Sequence, residues 1–351
     1  KNDDLLADVS IKSEGIPDMI GAYPLNDPDG KYYGFAGAGY GIMWNERYLK
    51  ANGLEPAAEW DDLAKPEYHG HVGMSAPSRS GTTHLTVETL LQGEGWDRGW
   101  AKWKRVAGNF STVTERSFGV PDGVNTGNFG LGIVIDFFGF SSKASGFPVN
   151  FHYPTITSLV PANVGVVSNA PNEAGAVAFI EYLLTPEGQE ILLNPAIMRL
   201  PINPATYANA PEGFPNPFED STIGATVKFD VAKSGARYNL VNSMFDVMIT
   251  YRLDDLRETV GAIHKVEAMH ADSGNEAAKA KIADAWALVD ANPIDEAQSL
   301  ESDFAAIFTK KRKKVTDKVG ERQAEVEARW DAMVVENYAK AKDLAEEAAG
   351  M

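Results

Sequence analysis

The residues with the clearest capacity for chemistry lie in one short polar stretch, Pro77-Ser78-Arg79-Ser80-Gly81-Thr82-Thr83-His84. Four hydroxyl groups and one guanidinium fall between Ser78 and Thr83, and Gly81 leaves the backbone uncovered. A β-prone segment precedes the stretch, and apolar residues follow it at helical spacing over residues 85–91, so it is predicted to begin a helix. Free N–H groups and the positive end of the helix dipole favour an anion at such a point. The stretch therefore predicts a phosphate or carboxylate site, with an ordinary capped loop as the alternative.

The same stretch also predicts where its helix begins. Either Ser80 or Thr82 is expected to be the N-cap, because a hydroxyl can accept a hydrogen bond from an orphan amide of the first turn. The glycine and lysine spacing of a P-loop is missing from this stretch, so a nucleotide-binding loop of that type is excluded.

Composition restricts the class of partner. The chain has 351 residues, enough for two domains, and a formal net charge of −17, which argues against nucleic-acid binding. A protein this acidic must capture an anion with local donors, since its overall field is repulsive. The sequence contains no cysteine, which excludes thiolate catalysis and cysteine-based metal sites.

Strand-like and helix-like segments alternate between residues 32 and 153, which predicts an α/β unit with a largely parallel sheet. Ligands of open α/β sheets bind at the carboxyl ends of strands. Three polar groups are predicted to lie there, and their convergence favours the anion site. They are Ser78–Thr83, the loop Thr114–Ser117 with Arg116 and Ser117, and Asp136.

Other constellations are weaker. His69 and His71 have no carboxylate at a spacing typical of a metal site, and no metal or cofactor is predicted. A hydrolase triad of Ser80, His84 and Asp136 lacks the G-x-S-x-G elbow. The glycine-rich run Gly37–Gly41 lacks dinucleotide-binding spacing and predicts close backbone packing or a hinge.

Taken together, several segments resemble one known family over residues 15–220. The chain is similar to the periplasmic solute-binding proteins of ABC importers, in the type 2 group that includes ferric-iron, phosphoglycerate and hexose-phosphate binders. The matching segments are Gly39–Asn45, Trp60–Leu63, Lys65–Tyr68, Pro77–His84, Gly95-Trp96, Gly108-Asn109, Thr114–Val120, Ile135–Gly139, Ala174–Leu184, Gly188-Gln189 and Arg199–Pro201.

The resemblance implies an α/β fold of two lobes joined by crossover strands, with the ligand in the cleft and a membrane permease as partner. It implies that residues 38–158 form lobe two, that residues 1–37 and 159–250 are the remainder of lobe one, and that residues 251–351 form a helical C-terminal extension. It also implies a periplasmic, non-catalytic protein. The family's signal peptide and first lobe-one elements have no counterpart here, so the chain is expected to be N-terminally truncated.

The resemblance further favours one ligand class. The family's iron binders use an adjacent tyrosine pair, where this chain has Phe137-Phe138, and a phenyl ring offers no oxygen to Fe³⁺. The organophosphate branch is therefore preferred, with a ferric-iron receptor or a phosphate-ester enzyme as alternatives. The helix start would hold the phosphate, and Asp136 would accept the ligand's hydroxyl hydrogens. The predicted ligand-binding set is Ser78, Arg79, Ser80, Gly81, Thr82, Thr83, Arg116, Ser117, Asp136 and Tyr40.

Overall fold

The computed structural model describes residues 5–21, 23–224, 226–309 and 316–351. Within these residues the strands are β1 (Met19–Ile20), β2 (Tyr23–Pro24), β3 (Tyr33–Ala38), β4 (Tyr40–Asn45), β5 (Val72–Ser75), β6 (Phe110–Thr114), β7 (Leu131–Ile135), β8 (Val149–His152), β9 (Val160–Val164) and β10 (Leu200–Pro201). The α-helices are α1 (Glu46–Asn52), α2 (Gly81–Glu94), α3 (Trp96–Ala107), α4 (Gly119–Thr126), α5 (Asp136–Ala144), α6 (Glu173–Leu184), α7 (Pro186–Glu190), α8 (Val231–Ala236), α9 (Tyr238–Phe245), α10 (Leu253–His270), α11 (Glu276–Asp290), α12 (Glu296–Ser299), α13 (Ser302–Ala305) and α14 (Glu321–Ala349).

The chain folds into two compact units. The first unit contains residues 1–41 and 135–229, and the second contains residues 42–134 and 230–351. The segment 251–351, predicted as a C-terminal extension, belongs to the second unit together with the predicted helix start at Gly81. The lobe boundaries implied by the resemblance stay a prediction. No helix in the described part of the chain is long and apolar enough to span a membrane.

The first unit is built on a three-stranded antiparallel sheet in the order β10-β3-β9. Its core includes Leu25, Leu159 and Leu200, and α6 packs against this core through Ile180 and Leu184. A buried amide, that of Gln189 in α7, holds the sheet to the following loop, because it donates to Phe35 O and accepts from Ile202 N. The first unit thus has an apolar core, and the buried amide of Gln189 within it is satisfied by the protein itself.

The second unit contains parallel strands, as predicted. Strand β5 lies between β6 and β7 and is parallel to both, and β4 lies beyond β7. Helix α3 buries Trp100 and Trp103 completely, so these two side chains belong to the core of the second unit. Asn45 caps α1 by accepting from two first-turn amides, and Gly53 ends the helix at φ +66°, a left-handed conformation that suits glycine.

Helix α2 is fastened to the C-terminal helices of the second unit by buried polar contacts. Glu88 and Arg237, both fully buried, form a bidentate pair with N–O distances of 2.8 and 2.9 Å. His84 Nδ1 lies 2.8 Å from Asn242 Oδ1, and its Nε2 lies 3.0 Å from Ser234 Oγ. The C-terminal helices therefore fix the helix that begins at the predicted anion site.

Candidate functional site

Helix α2 begins at Gly81 because Ser80 caps it. Ser80 Oγ accepts the amide of Thr83 at 3.2 Å, and the first intrahelical bond runs from His84 N–H to Ser80 O at 3.0 Å. Of the two predicted caps the structure therefore selects Ser80, and Thr82 lies in the first turn. The helix supplies no acceptor for the amides of Gly81 and Thr82, as at any helix start. Gly81 is exposed and Thr82 is half-buried, so a ligand that reaches the first turn of α2 would meet these two donors.

The turn that leads into α2 and the first turn of α2 together form the anion loop (residues 77–83). The hydroxyls of this loop differ in whether the protein engages them in a well-formed hydrogen bond. Thr83 Oγ1 is engaged by Ser75 Oγ at the end of β5. Ser78 is only 4% exposed, and within the described residues its hydroxyl forms no hydrogen bond of good geometry. The same is true of the buried Nε of Arg79. The anion loop thus retains donor capacity at Arg79 Nε, whereas the Ser78 hydroxyl lies close enough to Asp246 to lower the pKa of that carboxyl.

A carboxylate from the C-terminal helices lies beneath the anion loop. Asp246 is 3% exposed and begins a π-helical segment, Asp246–Thr250, between α9 and α10. Burial raises the pKa of Asp246 to about 6, although the hydroxyls of Ser78 and Thr250 and the charge of Arg79 lower it. Asp246 therefore loses its charge in mildly acidic solution and competes with any ligand for Arg79 above that pH.

The second predicted loop lies beside the first. Strands β5 and β6 end together, because Ser75 pairs with Thr114 and the amide of Ala76 donates to Thr114 O at 3.4 Å. Arg116 O accepts from Thr114 Oγ1 at 2.8 Å, which fixes the loop backbone, while the Arg116 side chain is exposed. Ser117 is half-buried. The predicted adjacency of these two strand ends is confirmed.

In the first unit, Asp136 is a fully buried carboxylate held by the protein itself. Its Oδ2 accepts from the Gly39 amide at 2.6 Å and from Tyr153 Oη at 2.7 Å, and its Oδ1 accepts from the Phe137 amide at 2.7 Å. A Cβ on Gly39 would lie 2.7 Å from the Tyr153 ring, so only glycine permits this approach, and the predicted close packing of this glycine-rich run is confirmed. Burial raises the pKa of Asp136 to about 7, although these three donors and the charge of Arg199 oppose the rise.

Two more polar groups lie near Asp136. The Tyr40 side chain is 1% exposed, and its hydroxyl has no hydrogen-bond partner in the described part of the chain. Burial and the nearby charge of Asp136 raise its pKa. The guanidinium of Arg199 stacks over the Phe137 ring at 3.9 Å and makes no hydrogen bond or ion pair with residues that the structure describes.

The predicted site residues therefore form two groups. Asp136 and Tyr40 lie in the first unit, and the other eight lie in the second at the ends of β5 and β6. Their role in ligand binding stays a prediction. Sequence reasoning missed Arg199, Tyr238 and Asp246 as neighbours of these groups, because no local spacing connects them with the strand ends. No cluster of three or more His, Asp or Glu side chains suited to a metal ion occurs within residues 5–21, 23–224, 226–309 and 316–351.

The chain belongs to the family of bacterial extracellular solute-binding proteins, whose model matches residues 1–220. It is 34% identical over 275 residues to the phosphoglycerate transport regulatory protein PgtC of Salmonella typhimurium, a match that covers 78% of this chain and 66% of that protein. It is 27% identical over 210 residues to iron uptake protein A1 of Synechocystis, covering 55% of this chain and 57% of that protein.

Among solved structures, the fold matches the periplasmic binding protein AfuA of Actinobacillus pleuropneumoniae with bound fructose-6-phosphate, at a TM-score of 0.59 and 22% identity. The match covers 69% of this chain and 76% of that structure. The predicted two-lobed type 2 periplasmic-binding-protein fold, with helices at the C-terminus, is thus confirmed. The chain spans 66% of the length of its phosphoglycerate-related relative.

Proposed function

We propose that the protein is a receptor that captures a small phosphorylated metabolite, a phosphoglycerate or a sugar phosphate, for an ABC importer. The observation that carries the proposal is the start of α2, where the helix supplies no acceptor for the amides of Gly81 and Thr82, and where the Nε of Arg79 has no hydrogen-bond partner among the described residues. In a chain of net charge −17, such a set of local donors suits an anion that the overall field would repel.

The relatives support the choice of a phosphate ester. PgtC is named for phosphoglycerate transport, and the AfuA structure contains fructose-6-phosphate. PgtC is also named a regulatory protein, and capture of the ligand is the step that delivery and signalling have in common. Because the family is extracellular, the proposed location is the periplasm and the proposed partner is a membrane permease.

The donors of α2 are adequate in energy. Three charge-assisted hydrogen bonds at roughly 1.5–3 kcal/mol each, with a helix-dipole contribution of up to about 2 kcal/mol, reach the roughly 8 kcal/mol of micromolar binding. The proposal requires no cofactor, and the receptor role requires no reaction.

Ferric iron is the second candidate, because iron uptake protein A1 is a relative. Phe137 and Phe138, whose ring centroids lie 4.7 Å apart, stand where the resemblance places the iron-binding tyrosines. We therefore expect no tyrosinate-to-iron charge-transfer band when ferric citrate is added to the protein. A visible band that titrates to one equivalent would support the iron receptor.

Isothermal titration calorimetry tests the proposal with 3-phosphoglycerate, fructose 6-phosphate, glycerate and inorganic phosphate. We expect at least one phosphate ester to bind in the micromolar range and glycerate to bind much more weakly, because it lacks the group that α2 holds. Release of inorganic phosphate from the bound ester would instead indicate an enzyme. Failure of every phosphate ester to bind would contradict the proposal.

A further inference from the structure

The first unit contains a guanidinium group to which its own chain offers no acceptor. The Arg199 side chain, just before β10, makes no hydrogen bond or ion pair within the described part of the chain. It is half-buried, and its guanidinium lies over the Phe137 ring, 3.9 Å from the ring centroid. A phenyl ring attracts the cation through its face but has no oxygen to accept the guanidinium N–H groups. The donors of Arg199 are therefore available to a ligand.

This guanidinium is partly removed from water without full compensation. Burial lowers the pKa of Arg199, although the nearby charge of Asp136 opposes the fall. The Asp136 carboxyl is engaged by other donors, which are the amides of Gly39 and Phe137 and the hydroxyl of Tyr153. Water screens a partly buried charge less than an exposed one, so such a cation attracts an anion more strongly.

A second donor without a partner lies in the same cluster. Tyr40 is 1% exposed, and its hydroxyl has no hydrogen-bond partner among the described residues. Burial raises the pKa of Tyr40, and the charge of Asp136 adds to the rise, so the phenol lies within electrostatic reach of the same carboxyl as Arg199. Buried hydroxyls are normally satisfied, and one without a protein partner marks a place where a ligand or a water completes the structure. Two independent donors near Asp136 thus suit a molecule with several acceptor oxygens.

The shape and charge of this cluster favour one kind of anion. A planar guanidinium matches a planar carboxylate through two parallel hydrogen bonds. The pKa of Asp136 is about 7, so the carboxyl is partly ionised at neutral pH. It then repels a phosphate dianion about twice as strongly as a carboxylate at the same distance. The cluster therefore suits a carboxylate better than a phosphate.

We propose that Arg199 binds a carboxylate of the ligand, which makes the substrate class a phosphorylated carboxylic acid and not a sugar phosphate. The inference rests on the proposed function and narrows its ligand class. The relatives do not decide between the two classes, because PgtC is named for phosphoglycerate transport and the AfuA structure contains fructose-6-phosphate. Arg199 supplies the contact that distinguishes them.

Two ligands that differ only at the carboxylate test the inference. Glycerol 3-phosphate has a hydroxymethyl group where 3-phosphoglycerate has the carboxylate. We expect the wild type to bind 3-phosphoglycerate about tenfold more tightly than glycerol 3-phosphate. Arg199→Gln should bind 3-phosphoglycerate about tenfold more weakly than the wild type, because the hydrogen bonds to a charged group are lost, and glycerol 3-phosphate as before. Isothermal titration calorimetry measures the four affinities.

A second variant and a control separate the role of Arg199 from its charge and from folding. Arg199→Lys keeps the charge without the planar fork, so it should keep its thermal midpoint and also lose preference for 3-phosphoglycerate. Lys143→Gln removes one positive charge from an exposed position of α5 in the same unit, where Lys143 donates to Asn150 Oδ1. Both affinities of this control should equal those of the wild type.

The outcomes distinguish this inference from the proposed function. If the wild type binds glycerol 3-phosphate or fructose 6-phosphate as tightly as 3-phosphoglycerate, the carboxylate class is overturned and the receptor for phosphate esters stands. If both Arg199 variants keep the wild-type preference, or weaken both ligands equally, Arg199 does not bind the carboxylate. If the wild type binds no phosphate ester, the proposed function is overturned and the inference with it.

Discussion

The two groups of predicted site residues differ in how much of their hydrogen-bonding capacity the protein already uses. In the first unit, the carboxylate of Asp136 receives three hydrogen bonds from its own chain. In the second unit, the start of α2 leaves two amides without an acceptor from the helix, and the buried Nε of Arg79 has no hydrogen-bond partner in the described residues. A saturated polar group contributes mainly to folding stability, whereas an unsaturated one is available to a ligand.

The comparison therefore distinguishes residues that the sequence analysis placed in one ligand-binding set. Substitution at Asp136 should appear first in the free energy of unfolding. Substitution in the anion loop should appear first in ligand affinity. Each of the following predictions measures one or both of these quantities.

The largest effect is expected for Asp136→Ala. The change leaves the amides of Gly39 and Phe137 and the hydroxyl of Tyr153 without their acceptor in a buried place, which should cost about 3–5 kcal/mol of unfolding free energy. Urea denaturation measures this loss. Asp18→Ala, at an exposed position of the same unit, is the control and should stay within about 0.5 kcal/mol of the wild type.

A different result at this position would support the role in ligand recognition that the sequence predicts for Asp136. If Asp136→Asn keeps its stability, binds 3-phosphoglycerate more weakly and binds inorganic phosphate as before, Asp136 recognises the hydroxyl groups of the ligand. A carboxylate can accept about four hydrogen bonds, so one acceptor position is left for that purpose.

The second effect concerns pH. The pKa of Asp136 rises from the ordinary 3.8 to about 7, so its neutral form favours the folded state. Its contribution to stability is therefore complete below about pH 4 and is lost as the pH rises through 7, on the order of 2–4 kcal/mol. Urea midpoints of wild type and Asp136→Asn between pH 4 and 8 isolate this group. Parallel profiles for the two proteins would contradict the raised pKa.

The third effect is expected in the anion loop. Ser80→Ala and Thr82→Ala should each weaken phosphate-ester binding by about 1–2 kcal/mol, and only Ser80→Ala should also lose about 1 kcal/mol of stability, because Ser80 is the cap. Thr185→Ala removes the N-cap of α7 in the first unit and is the control, with a stability loss but unchanged affinity. If calorimetric titration finds the phosphate-ester affinity of both anion-loop variants unchanged, the predicted anion site is contradicted.

The smallest effect is expected for Asp246→Asn. Above its pKa of about 6 the carboxylate attracts Arg79 and repels an anion, so the variant should bind inorganic phosphate about two- to threefold more tightly at pH 8. The gain should vanish near pH 5, where Asp246 is neutral in the wild type. Comparing the two proteins at each pH cancels the titration of the phosphate itself. Weaker binding at pH 8 would show that Asp246 supports the loop instead.

Much of the fold could be predicted from local patterns. The cap Ser80 and the parallel strands β5, β6 and β7 were predicted from short-range patterns, and the structure confirms both. The cap Asn45 and the terminator Gly53 of α1 follow from the same local chemistry. The position of the anion loop was predictable for the same reason. Strand β5, the turn that follows it and the start of α2 lie within about twenty residues of each other.

The remaining neighbours depend on contacts across long stretches of chain. Tyr238 reaches Gly81, and Asp246 lies beneath Ser78, although more than 150 residues separate the members of each pair in the sequence. No periodicity reports such contacts. The hydrogen bonds from Tyr153 and Gly39 to Asp136 could not be predicted from the sequence either. A carboxylate that follows an apolar strand shows the same sequence pattern whether its hydrogen-bond partners belong to the protein or to a ligand.

The ion pair between Glu88 and Arg237 also bears on the order of folding. The two residues are 149 positions apart, and both are fully buried. Until Arg237 arrives, Glu88 would be a buried charge without a counter-ion, which strongly disfavours docking of α2. Closing so long a segment is slow, since contacts between distant residues delay folding. Helix α2 is therefore expected to reach its final position late, after the C-terminal helices have been synthesised.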